Sequence, residues 1–181
     1  MTNSMTPVDF TTPVEPWVVV AHDGDRSVRE QVSALESGGV VQRLDSAKMT
    51  DEAGLFREFA DKLGFPSYFG HNWYALVDCL DDLHSSGHGL LPVVVVTEES
   101  DVLVGRTFFP TLLSMLCEAA ERANLSLDAD DLPRDRPPFP LHFVFFVNRR
   151  GVGDVAELLA VREDLVVRES GGRLLVCSQP R

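Results

Sequence analysis

The chain has 181 residues, 44% of them apolar, which is enough for one domain with a substantial core and short for two. Its formal net charge is −12, from 28 acidic and 16 basic residues, a field that repels nucleic acid and anionic membrane and attracts a basic partner. Three widely spaced cysteines, Cys79, Cys117 and Cys177, make no disulfide framework and fit a reducing, cytoplasmic setting, and no run approaches the ~20 apolar residues of a membrane helix.

Residues 1–16 hold three prolines and little periodicity, so a mobile tail is expected there, without the basic start or apolar core of a signal peptide. Trp17–Ala21 is a short apolar run suited to a buried strand. Ser27 and Glu30 have capping-box spacing, Val28, Val32 and Leu35 line one helical face, and Gly38-Gly39 ends that helix. This βα unit, 17–39, reads as a layer added to the main domain or as a small separate lobe. Val40–Leu44 reads as the next strand. Thr50 is placed to cap a helix whose first turn carries Asp51 and Glu52, whose inner face is Leu55, Phe56, Phe59 and Leu63, and which Gly64 closes.

After the stretch from Phe65 to Leu83 and a polar connection at 84–89, Leu91–Thr97 is a continuous valine-rich run, the pattern of a strand buried on both faces of a parallel sheet. A helix starts near Pro110, with Leu112, Leu113, Leu116, Ala119, Ala120 and Ala123 as its apolar stripe. Residues 128–140, rich in Asp, Arg and Pro, read as a surface loop, and Leu141–Val147 as a last central strand. A short helix over Asp154–Ala160 and two strand-like runs, Leu165–Arg168 and Arg173–Cys177, joined by Ser170-Gly171-Gly172, complete a C-terminal extension, 149–181, of the same domain. Alternating β and α elements predict an α/β fold with a largely parallel sheet and helices against it.

The stretch FPSYFGHNWYALVDCLDDL, from Phe65 to Leu83, carries the functional signal. Pro66 stops the preceding helix, and Tyr68, Phe69 and Gly70 form an aromatic loop in which Gly70 is best able to take a left-handed backbone. Asn72 is a good N-cap. Trp73, Leu76, Leu80 and Leu83 fall on one helical face, and Tyr74, Asp78, Asp81 and Asp82 on the other. Asp81 and Asp82 sit late in the helix, where the macrodipole opposes negative charge.

Read as Pro66-x-Tyr68-Phe69-Gly70-x-Asn72-x-x-Ala75-Leu76-x-Asp78-Cys79-Leu80, the stretch resembles the barstar-like family of intracellular ribonuclease inhibitors. Agreement in the order of elements runs over about Val40 to Val147, giving a barstar-like domain at 40–148. The resemblance implies a short, mostly parallel sheet packed with helices. It also implies a protein without catalysis, cofactor or metal, whose acidic helix occludes the basic active site of a ribonuclease or related toxin.

By that likeness Asp78 is the central anchor, a carboxylate that takes the place of a substrate phosphate and pairs with the partner's arginines. Tyr68 stacks at the cleft, Gly70, Asn72, Tyr74 and Asp82 join the contact, and Glu118 stands near the family's second acidic patch. Tyr74 occupies the position of a second helix aspartate and supplies no charge at neutral pH. Val77 replaces a tryptophan, and Arg122 lies where an acid is expected.

Two rival classes arise from the same residues. One is a barstar-fold interaction module whose partner is not a nuclease, which Tyr74 favours. The other is a metal-dependent enzyme built on His84 and His88 beside Asp81 and Asp82, although Gly87 interrupts helical spacing between the two histidines. Cys79 has no basic neighbour to activate it. Gly151-Val152-Gly153 lacks the rest of a phosphate-binding fingerprint.

Overall fold

An apolar run with both faces buried belongs inside a sheet, and two such runs, one of valines and one rich in phenylalanine, set the architecture. The computed structural model describes residues 8–85 and 87–180. In chain order these form β1 (Val18–His22), α1 (Arg26–Leu35), β2 (Val40–Leu44), α2 (Glu52–Leu63), α3 (Trp73–Asp81), β3 (Val93–Thr97), α4 (Asp101–Val104), α5 (Phe109–Leu125), β4 (Leu141–Val147), α6 (Val152–Leu159), β5 (Leu165–Ser170) and β6 (Arg173–Ser178). Single 3-10 turns lie at Ser46–Lys48 and Asp82–Ser85.

The strands make one sheet in the order β2-β3-β4-β1-β6-β5. The first four are parallel, and β6 runs antiparallel to both β1 and β5. Every residue of β3 and β4 is buried, as expected for the two valine- and phenylalanine-rich runs. Alternate strand residues feed two cores. Val18, Val20, Val93, Val95, Phe143 and Phe145 face α2, α3, α5 and α6, while Val19, Ala21, Val94, Val96, Val144 and Phe146 face α1.

The N-terminal βα unit is therefore no separate lobe. β1 is an internal strand, with Val18 opposite Phe143 on one side and Val176 on the other. The carboxylate of Asp25, not Ser27, caps α1 by accepting from the amide of Val28, and it also pairs with Arg173 of β6, only 6% of whose side chain is exposed. One side chain thus starts a helix and holds the C-terminal hairpin. Asp51, not Thr50, likewise caps α2 at the Gly54 amide, 2.7 Å away. The hairpin turn puts Gly171 and Gly172 at φ 59° and 76°, the pair of positive values that a two-residue turn of this hand requires. Asp164 fastens the extension to α5, taking bonds from Arg162 and from Ser114; Arg162 above all draws its carboxyl down to about 2.

The mobile tail expected over 1–16 does not describe the chain from Val8 onward, and residues 1–7 lie outside the described residues. Val8 and Phe10 are buried with α1 against the sheet. His142, 1% exposed, has Nδ1 3.0 Å from the carbonyl oxygen of Pro16 and Nε2 3.0 Å from that of Thr12, with its ring between Phe10 and Trp17. A neutral imidazole has one donor for these two acceptors. Burial nevertheless penalises the cation most and holds His142 below its ordinary 6.5, outweighing the carbonyls and Asp9.

The unfolded chain therefore takes up this proton at a higher pH than the folded one. Stability falls as pH drops through about 6.5 and levels off below the folded value. Urea unfolding between pH 8 and 5 is expected to show that decline, and His142→Gln to lower stability overall while flattening the slope.

Candidate functional site

Sequence dictates how α3 starts. Pro66 ends the α2 connection, and its carbonyl accepts from the Phe69 amide at 2.9 Å in a tight turn. Two consecutive aromatics are then divided. Phe69 is buried edge-on against Phe56 and Phe65, and Tyr68 stands 85% exposed. The left-handed residue of the loop is His71, at φ 49°, rather than Gly70. Glycine is needed at 70 for a different reason: a Cβ there would meet Nδ2 of Asn72 at 2.9 Å. Asn72 is the N-cap, its Oδ1 accepting from the Ala75 amide at 2.9 Å while Nδ2 donates to the Gly70 carbonyl at 3.2 Å.

Packing then decides which way the helix faces. Leu76, Val77 and Leu80 are fully buried against the core that includes α5, and Trp73 rests on Phe56 and Phe108. The opposite side carries Tyr74, 81% exposed, Asp78, whose side chain is 70% exposed, and Asp82, also exposed. Tyr68 and Tyr74 are the two most exposed large apolar side chains among the described residues.

Asp81 does not face outward with Asp78 and Asp82, as its helical position implies. Its side chain is 2% exposed and is gripped by Arg134 at 2.6 Å and Arg136 at 2.5 Å. Both arginines come from the loop between α5 and β4, which the sequence presents as plain surface and which instead folds over the end of α3. Burial pushes the Asp81 carboxyl up against the pull of the two guanidiniums. The 3-10 turn after α3 buries Leu83 and returns Asp82 to solvent.

Arg122 of α5 modifies the acidic face. It bonds Glu118 one turn back and reaches Asp78 at 3.5 Å, and only 13% of its side chain is exposed. Glu118 is thus neutralised within the chain, whereas Asp78 keeps most of its carboxylate in water. With the Asp78 carboxylate largely in water and the contact as long as 3.5 Å, this pair contributes about 0–1 kcal/mol. The i, i+4 spacing of Glu118 and Arg122 is legible in the sequence; the reach to Asp78 is not. Asp82 makes no hydrogen bond or ion pair through its carboxylate among the described residues.

Between the loop and the helix lies a groove of about 240 Å³, walled by Phe65, Pro66, Tyr68, Asp78, Cys79 and Asp82. Burial above all, with Asp82 and Asp78 adding, pushes the half-buried Cys79 thiol up, the reverse of an activated nucleophile. His84 donates Nδ1–H to the Asp81 carbonyl at 3.0 Å and lies against Phe139. No group of three His, Cys, Asp or Glu side chains is placed to hold a metal among the described residues, so a centre on His84 and His88 is not assembled.

A family model described as barstar (barnase inhibitor) matches residues 40–136, more than half of the chain. The matched span takes in β2, α2, α3, β3, α4, α5 and the loop bearing Arg134 and Arg136, and leaves β1, β4 and the C-terminal hairpin outside. No curated protein matches the chain.

Removing Asp81 would strand two arginines, one of them with 13% of its side chain exposed. Asp81→Ala is expected to cost about 3–5 kcal/mol, read from urea unfolding midpoints, because breaking one partner out of a buried pair leaves charge uncompensated. A change below about 1 kcal/mol would mean that the arginines do not fix the end of α3.

Proposed function

The chain belongs to the barstar family, and on that premise we propose that it is a cytoplasmic protein inhibitor, without catalysis of its own, that occludes the basic active site of a ribonuclease or related toxin. The single observation that carries this reading is the arrangement on α3. An exposed Asp78 shares its helix with the exposed ring of Tyr74 and a groove with the exposed ring of Tyr68, and the helix buries its other face in the core. A nuclease cleft must be lined with cations to hold phosphates, and a carboxylate on a rigid helix can take a phosphate's place among them.

In this reading Tyr68 and Tyr74 supply stacking area, and Asp78 supplies the charge that docking buries. Gly70 and Asn72 shape the approach, and Asp82 adds a second carboxylate. Glu118 contributes little, because Arg122 already satisfies it. The overall charge of −12 steers a basic partner toward the chain. No helix among the described residues is long and apolar enough to cross a membrane, which is compatible with this setting.

A second reading keeps the binding face and changes the partner. Tyr74 stands where the family carries an aspartate, and Arg122 sets a cation beside Asp78, so the face presents less negative charge than the family pattern implies. A partner that is basic but not a nuclease fits that weaker field.

The test is inhibition of a small panel of basic secreted ribonucleases. Asp78→Ala is expected to weaken inhibition of the target by at least about 30-fold, the effect of losing a central hot spot. Association is expected to slow as salt rises, since exposed charges are screened over ~10 Å at 0.1 M. Inhibition indifferent to Asp78 would reject the anchor. A panel with no enzyme inhibited would move the assignment to the second reading.

A further inference from the structure

The sheet ends at β5, and the turn into β6 fixes which way each residue of that strand points. Ser170 lies opposite Arg173 across the two-glycine turn, and the Asp164 carbonyl accepts from the Gln179 amide at 2.8 Å. In an antiparallel pair the backbone groups of alternate residues point to opposite sides. Val166, Arg168 and Ser170 therefore bond β6, and Leu165, Val167 and Glu169 turn their amides and carbonyls to the open edge. The Leu165 amide is taken by the Arg162 carbonyl at 3.4 Å. Among the described residues, nothing bonds the outward groups of Val167 and Glu169.

Folded proteins guard such an edge with a proline, a bulge, a covering element or a very short strand. β5 has neither proline nor bulge: its six residues run in unbroken register with β6. The opposite edge of the sheet is better closed. The Val40 amide bonds Pro92, so β2 turns only Val41 and Arg43 outward, and Arg43 is tied to Glu36 and Glu98.

β5 is also complementary to itself. A two-fold axis normal to the sheet pairs two copies of the strand antiparallel and keeps their helix-bearing faces on one side. Charge and strand length set where that axis falls. At Glu169 two carboxylates would stand opposite each other, and at Arg168 two guanidiniums. At Leu165 or Val166 the Glu169 of one copy would run past the start of the other strand. At Val167 these conflicts vanish. The two Val167 residues exchange their amide-to-carbonyl bonds, and each Glu169 amide donates to the Leu165 carbonyl of the second copy. Arg168 comes opposite Val166. The valines meet on the helix-bearing face, where Val167 already packs on the core that includes Leu165.

We propose that two copies of this chain associate through β5, with the two-fold axis at Val167, joining two six-stranded sheets into one. The contact shares no residue with α3 or the loop before it and stands apart from the reading of α3 as a partner-binding face.

Sedimentation velocity on the full chain, from about 1 µM to about 0.5 mM, is expected to show a species of twice the 20.0 kDa chain mass. Val167→Lys sets two ammonium groups against each other at the axis and is expected to weaken association at least about 100-fold. Val167→Pro removes an amide that the single chain does not use, so the fold survives at this edge position while the dimer is lost. Val41→Lys on the opposite edge should leave the dimer intact. In hydrogen exchange, the Val167 and Glu169 amides should gain protection as concentration rises, whereas the Val166 and Arg168 amides, bonded to β6, stay protected throughout. A monomer over the whole range, a dimer that survives both Val167 variants, or one dissociated by Val41→Lys would overturn the proposal.

Discussion

The outer face of α3 depends on how the last turn of that helix is held. Three aspartates lie within five positions, Asp78, Asp81 and Asp82, and a free helix of that composition would have no reason to treat them differently. Two guanidiniums from a loop far along the chain separate them. Arg134 and Arg136 hold Asp81 inward, while the burial of Leu76, Val77 and Leu80 sets the rotation that leaves Asp78 and Asp82 in water. The buried triad is an expensive way to stabilise a fold, since apolar residues of like volume often do as well. Its use here is geometric: it fixes the end of the helix on which the outward carboxylates stand.

The same logic of divided labour runs through the rest of the chain. Phe69 goes into the core, and its neighbour Tyr68 goes out. Asn72 caps the helix and braces Gly70. Asp25 starts α1 and clasps the C-terminal hairpin through Arg173. The parallel core of β2, β3, β4 and β1 is widened by an antiparallel hairpin. The elements outside the family span, β1, β4, β5 and β6, are thus continuous with those inside it through backbone hydrogen bonds.

Much of this is legible in the residues. The valine-rich run of β3, with no alternation, has to be an interior strand, and β4, which alternates and then runs apolar, joins it inside the sheet. The apolar periodicity of α2 and α5 marks their inner faces, and the glycine pair marks the hairpin. Two helix starts are displaced by one or two residues, because Ser, Thr and Asp are nearly equivalent caps and only backbone geometry chooses Asp25 over Ser27 and Asp51 over Thr50. The strap from Val8 to Pro16 escapes a reading of the sequence, since it has no periodicity and is anchored by Val8, Phe10 and a histidine 126 residues beyond its Pro16 contact. Asp81 cannot be placed from the helix alone, because its partners are distant in sequence. For the candidate site, the resemblance to the barstar-like family singles out Tyr68, Gly70, Asn72, Tyr74, Asp78, Asp82 and Glu118. The neutralisation of Glu118 and the partial capture of Asp78 by Arg122 need three dimensions.

A partner that docks as proposed covers the loop and outer face of α3 and nothing else of comparable size. Hydrogen exchange on the complex with an inhibited ribonuclease tests this most directly. New protection is expected to be confined to residues 65–82 and the adjoining part of α5, with α1, the N-terminal strap and the β5 edge unchanged. Protection centred on α1 or on β5, with 65–82 exchanging as in the free protein, would contradict it.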